Sequence, residues 1–580
     1  MKKQLLFWMS LLMMTSCMTS GETKTVELRI IETSDVHGSF YPYDFINRRD
    51  VKGSLARVHT YVEGLRQQYG DNVLLFDNGD ILQGQPSAYY YNYIDQQSRH
   101  LAGEMLSFMG YDAGNMGNHD VEVSRPVFDR WANDCDFPIL GANIIETATG
   151  KPHFKPYEIF KRDGVKIAVL GMITPGIPAW LSENLWEGLR FDDMEETARK
   201  YMPILKEQEK ADVVIGLFHT GDEAEWLSGI YREHAAAEVA ERVPGFDVIL
   251  FGHDHSRDCR KIVNVAGDSV LLINPANAAH YVSDVTIKVD VEKGKVVSKE
   301  VSGELVSVDN LSVSEPFMQQ FSKQYDDVTQ FISKKIGHFA STITTRPAYF
   351  GPSAFIDLIH SLQLTLTGAD ISLAAPLSYD AQIKEGDVFV SDMFNLYKYE
   401  NMLYTMDLTG REILGALEYS YGLWINEMKS KNDHVLLMNT AQENAGDGFN
   451  KFLNPMFNFD SAAGIIYTVD ATKPAGQKVK IERMADGTPF DLDKHYKVAV
   501  NSYRGNGGGE HLTKGAGIAH DDLIKRVIVS TDKDLRYYLM EYIEQHPDVN
   551  PQPLNQWKLV PEEWTQPAIE RDYKALFGNK

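Results

Sequence analysis

The chain has 580 residues, of which 43% are hydrophobic and 24% are charged, and its formal net charge is −24. This length exceeds what one hydrophobic core usually supports, so two domains are expected. The acidic balance argues against nucleic-acid polymers as partners, because their binding depends on lysine and arginine neutralising phosphates. A small anionic substrate is compatible with this net negative charge if metal cations supply positive charge at the binding site.

The first residues have the pattern of an export signal. Lys2 and Lys3 precede an apolar stretch over residues 5–14, which is too short to span a bilayer. Cys17 follows the small residues of the expected cut, an order similar to a bacterial lipoprotein signal. The pattern predicts a signal over residues 1–17 and a periplasmic or cell-surface protein held to the membrane only by a lipid on Cys17. A plain secretory signal with an incidental cysteine is the alternative.

Export permits a disulfide, and Cys135 and Cys259 are the cysteines that remain. A disulfide between them and two buried free thiols are both compatible with the sequence.

Apolar runs typical of strands alternate with amphipathic helical segments from residue 26 to about residue 306. One helix, starting at Leu55, is expected to end at Gly70. The alternation predicts an α/β first domain over residues 24–312, with sheets covered by helices. Strands are expected at residues 72–76, 139–142, 165–172, 212–218, 246–251, 270–273 and 282–289.

A helix with Phe317 and Phe331 near one face is expected over residues 315–337, ending at Gly337. We interpret residues 313–338 as the connection between two domains. Residues 339–562 have helical patterns of their own, at residues 353–367 and from Asp407 to about residue 419. They are expected to form a smaller α+β domain, followed by a C-terminal tail at residues 563–580.

Five polar motifs in the first domain each follow an apolar run, at the point where a strand is expected to end. In α/β sheets the loops beyond the carboxyl ends of strands build functional sites, so the five loops are expected to converge. The motifs are Ser34-Asp35-Val36-His37, Asn78-Gly79-Asp80, Met116-Gly117-Asn118-His119-Asp120, Phe218-His219-Thr220 and Gly252-His253-Asp254-His255.

These side chains are of the kinds that bind two divalent cations. Asp80 is the candidate bridging carboxylate between cations about 3.5–4 Å apart. Mixed histidine, aspartate and asparagine ligands suit manganese, zinc, iron or cobalt. The other candidate ligands are Asp35, His37 and His255 for one cation, and Asn118, His219 and His253 for the other.

His119 directly follows the candidate ligand Asn118, so its side chain is expected near the cations without binding one. It is therefore the candidate general acid for the leaving oxygen. Glu122 or Asp120 would orient or charge it, and Glu122 is preferred.

The motifs Asp35-x-His37, Gly79-Asp80, Gly117-Asn118-His119, His219 and Gly252-His253-x-His255 resemble the signature of the calcineurin-like metallophosphoesterases. The two-domain layout is similar to the 5′-nucleotidase and 2′,3′-cyclic-nucleotide phosphodiesterase family over nearly the whole mature chain. The resemblance implies a four-layered αββα first domain with two metals, a second domain that binds the nucleoside, and an active site in the cleft between them. It also implies hydrolysis of small nucleotide phosphoesters by a water that the two metals activate.

Within the family, 5′-nucleotidases typically carry an asparagine, glycines and a phosphate-binding arginine early in the second domain. The corresponding stretch here, residues 375–380, has no arginine. Together with Gly84-Gln85-Pro86 and His255, it resembles the 2′,3′-cyclic-nucleotide 2′-phosphodiesterase/3′-nucleotidase branch. A 5′-nucleotidase or UDP-sugar hydrolase, with Arg346 or Arg504 on the phosphate, is the alternative. A non-catalytic nucleotide-binding protein is a more distant one.

Two stretches of the second domain, residues 458–460 and 501–510, also resemble that branch. The resemblance implies that Phe457 and Tyr503 hold the base between two rings and that Arg504 contributes to substrate binding. Stacking of a base on an aromatic ring contributes about 1–3 kcal/mol and accepts any base. A core role for Phe457 and a plain glycine loop after Tyr503 are the alternatives.

Overall fold

The structure, a computed structural model, describes residues 23–222, 231–439 and 451–578, together with the backbone of residues 225–227. The predicted signal segment and Cys17 lie outside the described residues. No helix in these described ranges is long and apolar enough to cross a membrane.

The first domain contains two β-sheets. Both sheets mix parallel central strands with antiparallel edge strands. In spatial order the first sheet is Lys295–Ser307, Tyr281–Glu292, Lys24–Thr33, Val73–Asp77, Ala113–Asn115 and Ile139–Leu140. The second is Arg257–Val263, Ser269–Pro275, Val248–Phe251, Val213–His219, Val165–Ile173 and Tyr157–Arg162.

The two sheets pack face to face. Alternate residues of the strand Lys24–Thr33, such as Leu28, share one buried cluster with Ile215 and Leu250 of the second sheet. Helices cover the outer face of each sheet, as two further buried clusters show. They are Leu55–Tyr69, Leu101–Met109, Arg125–Asp134, Glu315–Gln320 and Ser322–Ile332 on the first sheet, and Met194–Pro203 and Ala236–Arg242 on the second. The predicted αββα architecture is confirmed.

Short strands and helical turns lie in the connections between the longer elements of this domain. They are Tyr43–Asp44 paired with Arg49–Asp50, Ile144–Glu146 paired with Leu189–Phe191, Glu225–Leu227 paired with Tyr231–His234, and the helical turns Gly70–Asn72, Pro86–Tyr89, Tyr90–Ile94, Asn118–Glu122, Ile177–Trp180, Glu183–Leu185 and Ile204–Gln208. The helix that begins at Leu55 ends at Gly70 as predicted, and Gly70 has φ +56°.

Both described cysteines are free thiols. Cys135 is partly buried and Cys259 is exposed, so the expectation of two buried thiols is wrong for Cys259. Cys259 lies on the strand Arg257–Val263 at the edge of the second sheet, where alternate side chains face solvent.

The connection between the domains differs from the prediction. In place of the single helix expected over residues 315–337, the structure has two helices, Glu315–Gln320 and Ser322–Ile332. Gly337 lies in the strand Lys335–Phe339 that follows them. That strand pairs with Gly386–Phe389 of the second domain. A β-carbon at Gly337 would clash with Ile543, so this glycine serves close packing and does not end a helix.

The second domain is built on the strands Ser461–Ala463, Ile371–Ala374, His495–Asn501, Met402–Thr409 and Val527–Asp534, in that spatial order. Smaller sheets are Val479–Met484, Ile465–Asp470 and Trp557–Val560; Gly386–Phe389, Lys335–Phe339 and Asp548–Val549; and Ile343–Thr344 with Gln382–Ile383. The longer helices are Ala354–Thr367, Val390–Leu396, Gly410–Trp424, Leu535–Gln545 and Glu562–Phe577. Short helical turns are Arg346–Tyr349, Met456–Asn458, Ser502–Gly505, Gly508–Glu510, His511–Gly515, His520–Leu523 and Ile524–Arg526.

One of these helices begins later than predicted. Asp407 belongs to the strand Met402–Thr409, and the helix Gly410–Trp424 starts after Thr409. The Thr409 hydroxyl accepts from the backbone N–H of Glu412, and the Glu412 carboxylate accepts from the backbone N–H of Thr409. This reciprocal capping box fixes the start of the helix at that point.

The predicted C-terminal tail is instead a packed element. Residues 562–577 form a helix whose Ala568 and Leu576 belong to the core of the second domain. Its Asp572 is fully buried and accepts from the backbone N–H groups of Val435 (2.8 Å) and Leu436 (3.1 Å). The second domain therefore extends to Phe577.

Asp572→Ala is expected to lower the free energy of unfolding of the second domain by about 2–4 kcal/mol, because two buried N–H groups lose their acceptor. Urea unfolding of the mature chain, followed by tryptophan fluorescence, measures the change. Glu570→Ala is the matched control, since Glu570 is exposed on the same helix; it should change stability by less than about 0.5 kcal/mol. Equal midpoints for the two variants would mean that residues 563–580 are a dispensable tail.

Candidate metal centre

The seven predicted ligands meet at the carboxyl ends of the strands of both sheets. Asp35, His37 and His255 form one group and Asp80, His219 and His253 form another; within each group the candidate ligand atoms lie within 4.8 Å of one another. The sequence placed each of them after an apolar strand, and the strands Lys24–Thr33, Val73–Asp77, Val213–His219 and Val248–Phe251 do end beside them. The predicted convergence is present in the structure.

The first group has the form of a cation site. Nε2 of His37 lies 3.0 Å from Nε2 of His255, and Nε2 of His255 lies 3.4 Å from Oδ1 of Asp35. Among the described residues, Oδ1 of Asp35 is a buried oxygen without a hydrogen-bond partner. A buried carboxylate oxygen without a donor is costly, and a cation held between these atoms would satisfy it. The side chains present therefore fit a divalent cation.

The second group includes the amide of Asn118. Its Oδ1 lies 3.1 Å from Nε2 of His219 and 2.7 Å from Nδ1 of His253, and Oδ2 of Asp80 lies 3.2 Å from Nε2 of His219. Burial lowers the pKa of His219, but the negative charges of Asp80 and Asp35 outweigh burial and raise it to about 10. A cation among these ligands would take the place of that proton.

Backbone conformation is unusual at five of the seven candidate ligands. Asp35, His37, Asp80, His253 and His255 all have positive φ, between +49° and +75°. For residues other than glycine this conformation costs about 1–3 kcal/mol each, and it persists only where the surroundings enforce it. The concentration of such residues at one place marks a functional site.

Two glycines let the ligand loops approach one another. A β-carbon at Gly117 would overlap the carboxylate of Asp80, and one at Gly252 would overlap Ser34 and Asp35. Glycine at these positions is therefore required by the spacing of the ligands, and not only by the turns.

Two buried asparagines lie under the ligands: Asn78, which belongs to a predicted motif but was not a candidate ligand, and Asn115, which no predicted motif included. Nδ2 of Asn115, in the first sheet, donates to the backbone oxygens of Met172 (2.8 Å) and Leu217 (3.0 Å) in the second sheet, and to Oδ1 of Asn78. Nδ2 of Asn78 donates to the backbone oxygen of Phe218, one residue before His219. The sequence shows an asparagine at the end of an apolar strand, but it does not show which groups of the other sheet that asparagine binds.

His119 lies beside the first group of ligands, with its ring 5.5 Å from that of His37. Its Nδ1 is 2.5 Å from Oε2 of Glu122, which supports the prediction that Glu122 orients it. Burial lowers the pKa of His119, but the charges of Asp80 and Glu122 outweigh burial and raise it to about 9. Both carboxylates therefore favour the imidazolium form.

Asp120, the other predicted partner of His119, has a different role. Its carboxylate accepts from the backbone N–H groups of Asp80, Ile81, Leu82 and Gly117, at 2.8–2.9 Å. Asp120 therefore fixes the loop that carries Asp80, and it is not the group that orients His119.

The second domain contacts the candidate metal centre near His119 through the loop that follows the helix Val390–Leu396. The ring of Tyr399 lies nearly parallel to that of His119, with 6.4 Å between centroids. The loop is held by the buried Arg536, which donates to the backbone oxygens of Tyr397 and Lys398. No sequence pattern singles out Tyr399, because its position depends on the packing of the two domains.

The predicted base-binding rings are neighbours. The centroids of Phe457 and Tyr503 are 6.2 Å apart, with an angle of 85° between the ring planes. Burial raises the pKa of Tyr503 to about 12; Arg504 opposes this rise, and Glu233 and Tyr399 add to it. A base held between the two rings would need one ring to turn, because perpendicular rings cannot both stack on it.

Arg504 is a structural residue, which corrects the prediction that it binds substrate. It is 2% exposed, and all five of its N–H donors have acceptors within the protein. Nε and Nη2 bind the carboxylate of Asp460, at 2.7 and 2.9 Å, and the other donors bind Oδ1 of Asn458 and the backbone oxygens of Phe457 and Gly508. The arginine therefore holds the loop that carries Phe457.

Comparison with known proteins agrees with this architecture. The sequence profile of the calcineurin-like phosphoesterases matches residues 28–257, and that of the 5′-nucleotidase C-terminal domain matches residues 334–514. A solved structure of a putative 5′-nucleotidase from Staphylococcus aureus has the same fold, with a TM-score of 0.76 at 22% identity. The match covers 92% of this chain and 99% of that one.

Three curated relatives show how far the similarity extends. The trifunctional nucleotide phosphoesterase protein YfkN of Bacillus subtilis is 26% identical over 95% of this chain, which spans 40% of that longer protein. The 2′,3′-cyclic-nucleotide 2′-phosphodiesterase/3′-nucleotidase of Salmonella typhimurium is 25% identical over 95% of this chain and 91% of its own length. The 5′-nucleotidase of Vibrio cholerae is 33% identical, over 42% of each chain.

The two matching domains, in this order and on this fold, define a class of phosphoester hydrolases. The chain combines a calcineurin-like phosphoesterase domain with a 5′-nucleotidase C-terminal domain.

Proposed function

We propose that this chain is an exported, metal-dependent hydrolase of nucleotide phosphoesters that favours 2′,3′-cyclic nucleotides and 3′-nucleotides. The observation that carries the proposal is the convergence of two ligand groups beside the His119–Glu122 pair, facing the second domain. Similarity over nearly full length to a 2′,3′-cyclic-nucleotide 2′-phosphodiesterase/3′-nucleotidase supports the choice of substrate. The more identical but shorter match to a 5′-nucleotidase supports 5′-nucleotides as the second candidate.

The seven candidate side chains would hold two divalent cations, and Asp80 lies in the group with His219 and His253. Bound there, the cations would neutralise charge on the phosphate and supply the attacking water. Manganese, zinc, iron and cobalt all suit this ligand set.

His119 is proposed as the general acid. Because Nδ1 binds Glu122, the imidazolium presents its Nε2–H to the substrate, where it donates the proton to the leaving ribose oxygen. Glu122 keeps the ring in this orientation. The carboxylate of Glu122 also raises the pKa of His119, which favours the protonated form that a general acid needs.

The arginines offered by the sequence do not supply a phosphate ligand. Nε and Nη2 of Arg346 bind the two carboxylate oxygens of Asp380, at 2.6 and 2.7 Å, and Arg504 is fully used within its own loop. Positive charge for the phosphate then comes from the cations and His119. This supports the cyclic-phosphodiesterase branch, which the missing arginine at residues 375–380 indicated.

The turnover of a purified protein comprising residues 24–580, with manganese, tests the substrate class. We expect kcat/KM at least about tenfold higher for 2′,3′-cyclic AMP and 3′-AMP than for 5′-AMP or a UDP-sugar, about 1.4 kcal/mol of discrimination. If Phe457 and Tyr503 stack on the base, uridine substrates should fall within about tenfold of adenosine ones, because stacking accepts any base. Preference for 5′-AMP would select the second candidate, and tight binding without turnover would select a non-catalytic nucleotide-binding protein.

His119→Ala is expected to lower kcat for 3′-AMP by about 10²–10⁴, because the poor leaving oxygen loses its proton donor. The loss should be much smaller for p-nitrophenyl phosphate, whose phenolate leaves without a proton. Steady-state kinetics on both substrates measure the difference. An equal loss on both would contradict the general-acid role.

Glu122→Gln is the companion variant. It removes a carboxylate that raises the pKa of His119, so the alkaline limb of the kcat profile should move to lower pH. His153→Ala is the control, because His153 lies in a separate cluster with Glu146 and Asp129.

The proposed lipid anchor rests on the sequence pattern around Cys17. In a bacterial host that processes lipoproteins, the full-length chain should fractionate with membranes and Cys17→Ala should release it to the soluble fraction. Cys259→Ala is the control for loss of a thiol, since Cys259 is an exposed free cysteine. A Cys17→Ala variant that still fractionates with membranes would exclude the anchor.

A further inference from the structure

His253 is held from both sides of its ring. Nδ1 lies 2.7 Å from Oδ1 of Asn118, on the side of the proposed second cation. Nε2, on the opposite side, lies 3.0 Å from Oε1 of Glu233. Glu233 is mostly buried, with its side chain 15% exposed, and it belongs to the short strand Tyr231–His234.

Both ring nitrogens of His253 face an oxygen acceptor, and the charged carboxylate of Glu233 is a stronger acceptor than the amide oxygen of Asn118. A neutral imidazole has one N–H, and an ionised carboxylate only accepts hydrogen bonds. The hydrogen bond to Glu233 therefore keeps the proton on Nε2 and leaves the lone pair of Nδ1 directed at Asn118 and the second ligand group. His253 is thereby prepared as a ligand before a cation arrives.

Glu233 is itself positioned by a residue next to a ligand. The hydroxyl of Thr220 donates to the backbone oxygen of Glu233 (2.7 Å) and accepts from the backbone N–H of Ala235 (3.1 Å). Thr220 directly follows His219. The strand that carries Glu233 is therefore tied to the same loop as another ligand of the second group.

The other candidate histidine ligands have neutral outer partners. Nδ1 of His219 faces the backbone oxygen of Asn78 (2.7 Å), and Nδ1 of His37 faces that of Gln83 (3.1 Å). Nδ1 of His255 lies 3.2 Å from the side-chain amide of Asn277. Among these four histidines in the described chain, His253 is the one with a carboxylate behind it. An outer carboxylate makes an imidazole a stronger donor to a cation than a carbonyl does.

We propose that Glu233 is a positioning residue of the metal centre, which holds His253 in its ligand tautomer and strengthens binding of the second cation. The inference rests on the proposed function, because it assigns His253 to a cation. Glu233 touches neither the cation nor the substrate in this role.

A competing assignment makes Glu233 a ligand of a further cation. Glu233, His234 and His253 also form a group whose ligand atoms lie within 4.8 Å of one another, and Nε2 of His234 is 3.5 Å from Oε1 of Glu233. The 3.0 Å contact between Glu233 and His253 has the length of a direct hydrogen bond, and His253 already directs Nδ1 at the second group. One neutral imidazole cannot serve a cation on each side, so the positioning role is favoured.

The test compares Mn²⁺ binding by the metal-free wild type, Glu233→Gln and Glu233→Ala, through competition with a chelator and by calorimetry. Glu233→Ala should weaken the second equivalent of Mn²⁺ by about 10–100-fold and leave the first unchanged. Glu233→Gln keeps an acceptor oxygen but loses the charge, so its effect should be smaller. High Mn²⁺ should restore kcat in both variants, which a folding defect would not allow.

Glu241→Gln is the matched control. Glu241 is an exposed carboxylate on the neighbouring helix Ala236–Arg242, and its removal changes the net charge equally. It should bind both equivalents as the wild type does. Thermal unfolding of the metal-free proteins checks that all variants are folded to the same extent.

Each result decides the question. Loss of the second equivalent in the Glu233 variants, with rescue by Mn²⁺, supports positioning. Wild-type binding by folded Glu233→Ala overturns it, and a third equivalent present in the wild type but absent in Glu233→Ala shows that Glu233 is a ligand instead. A wild type that binds fewer than two equivalents removes the proposed metal centre itself, and this inference with it.

Discussion

The hydrogen bonds of Asn115 across the two sheets hold the rest of the site in place. The inner faces of the two sheets also pack through apolar side chains, which resist separation but do not fix register. The buried Asn115 amide does fix register, because it binds the backbone of Met172 and Leu217 at defined positions. Misalignment of the sheets would leave these polar groups buried and unpaired. The ligands from the two sheets therefore meet at set distances.

Charge then determines what the site can hold. Asp35 and Asp80 are buried with His219, and the other candidate histidine ligands and His119 surround them at partly or fully exposed positions. The positive φ values show that the backbone is strained to bring these residues together. Apposed imidazole nitrogens and an unpaired carboxylate oxygen are unfavourable in a protein without a cation. Cation binding would turn these unfavourable features into ligand bonds. Metal loading is thus expected to stabilise the first domain as well as to activate it.

Local patterns predicted the local features. The end of the helix at Gly70 and the ligands at strand ends follow from short-range spacing, and both are present. Features that depend on distant partners were missed or misjudged: the role of Asp120 depends on the backbone 40 residues earlier, and that of Asn115 on Leu217, 102 residues later. The ring contact of Tyr399 with His119 depends on the packing of two domains. Helical spacing continued past Ile332, but pairing with Gly386–Phe389 favoured a strand there.

The position of Arg504 changes how an acidic chain can bind an anionic substrate. Its guanidinium is entirely occupied in holding the Phe457 loop, and Arg346 is bound to Asp380. If the cations and the protonated His119 carry the positive charge, substrate affinity should depend on metal loading more steeply than on ionic strength. Under the proposed function, the second domain would contribute stacking through Phe457 and Tyr503. Such a division lets the protein keep a net charge of −24 and still attract phosphate to one point.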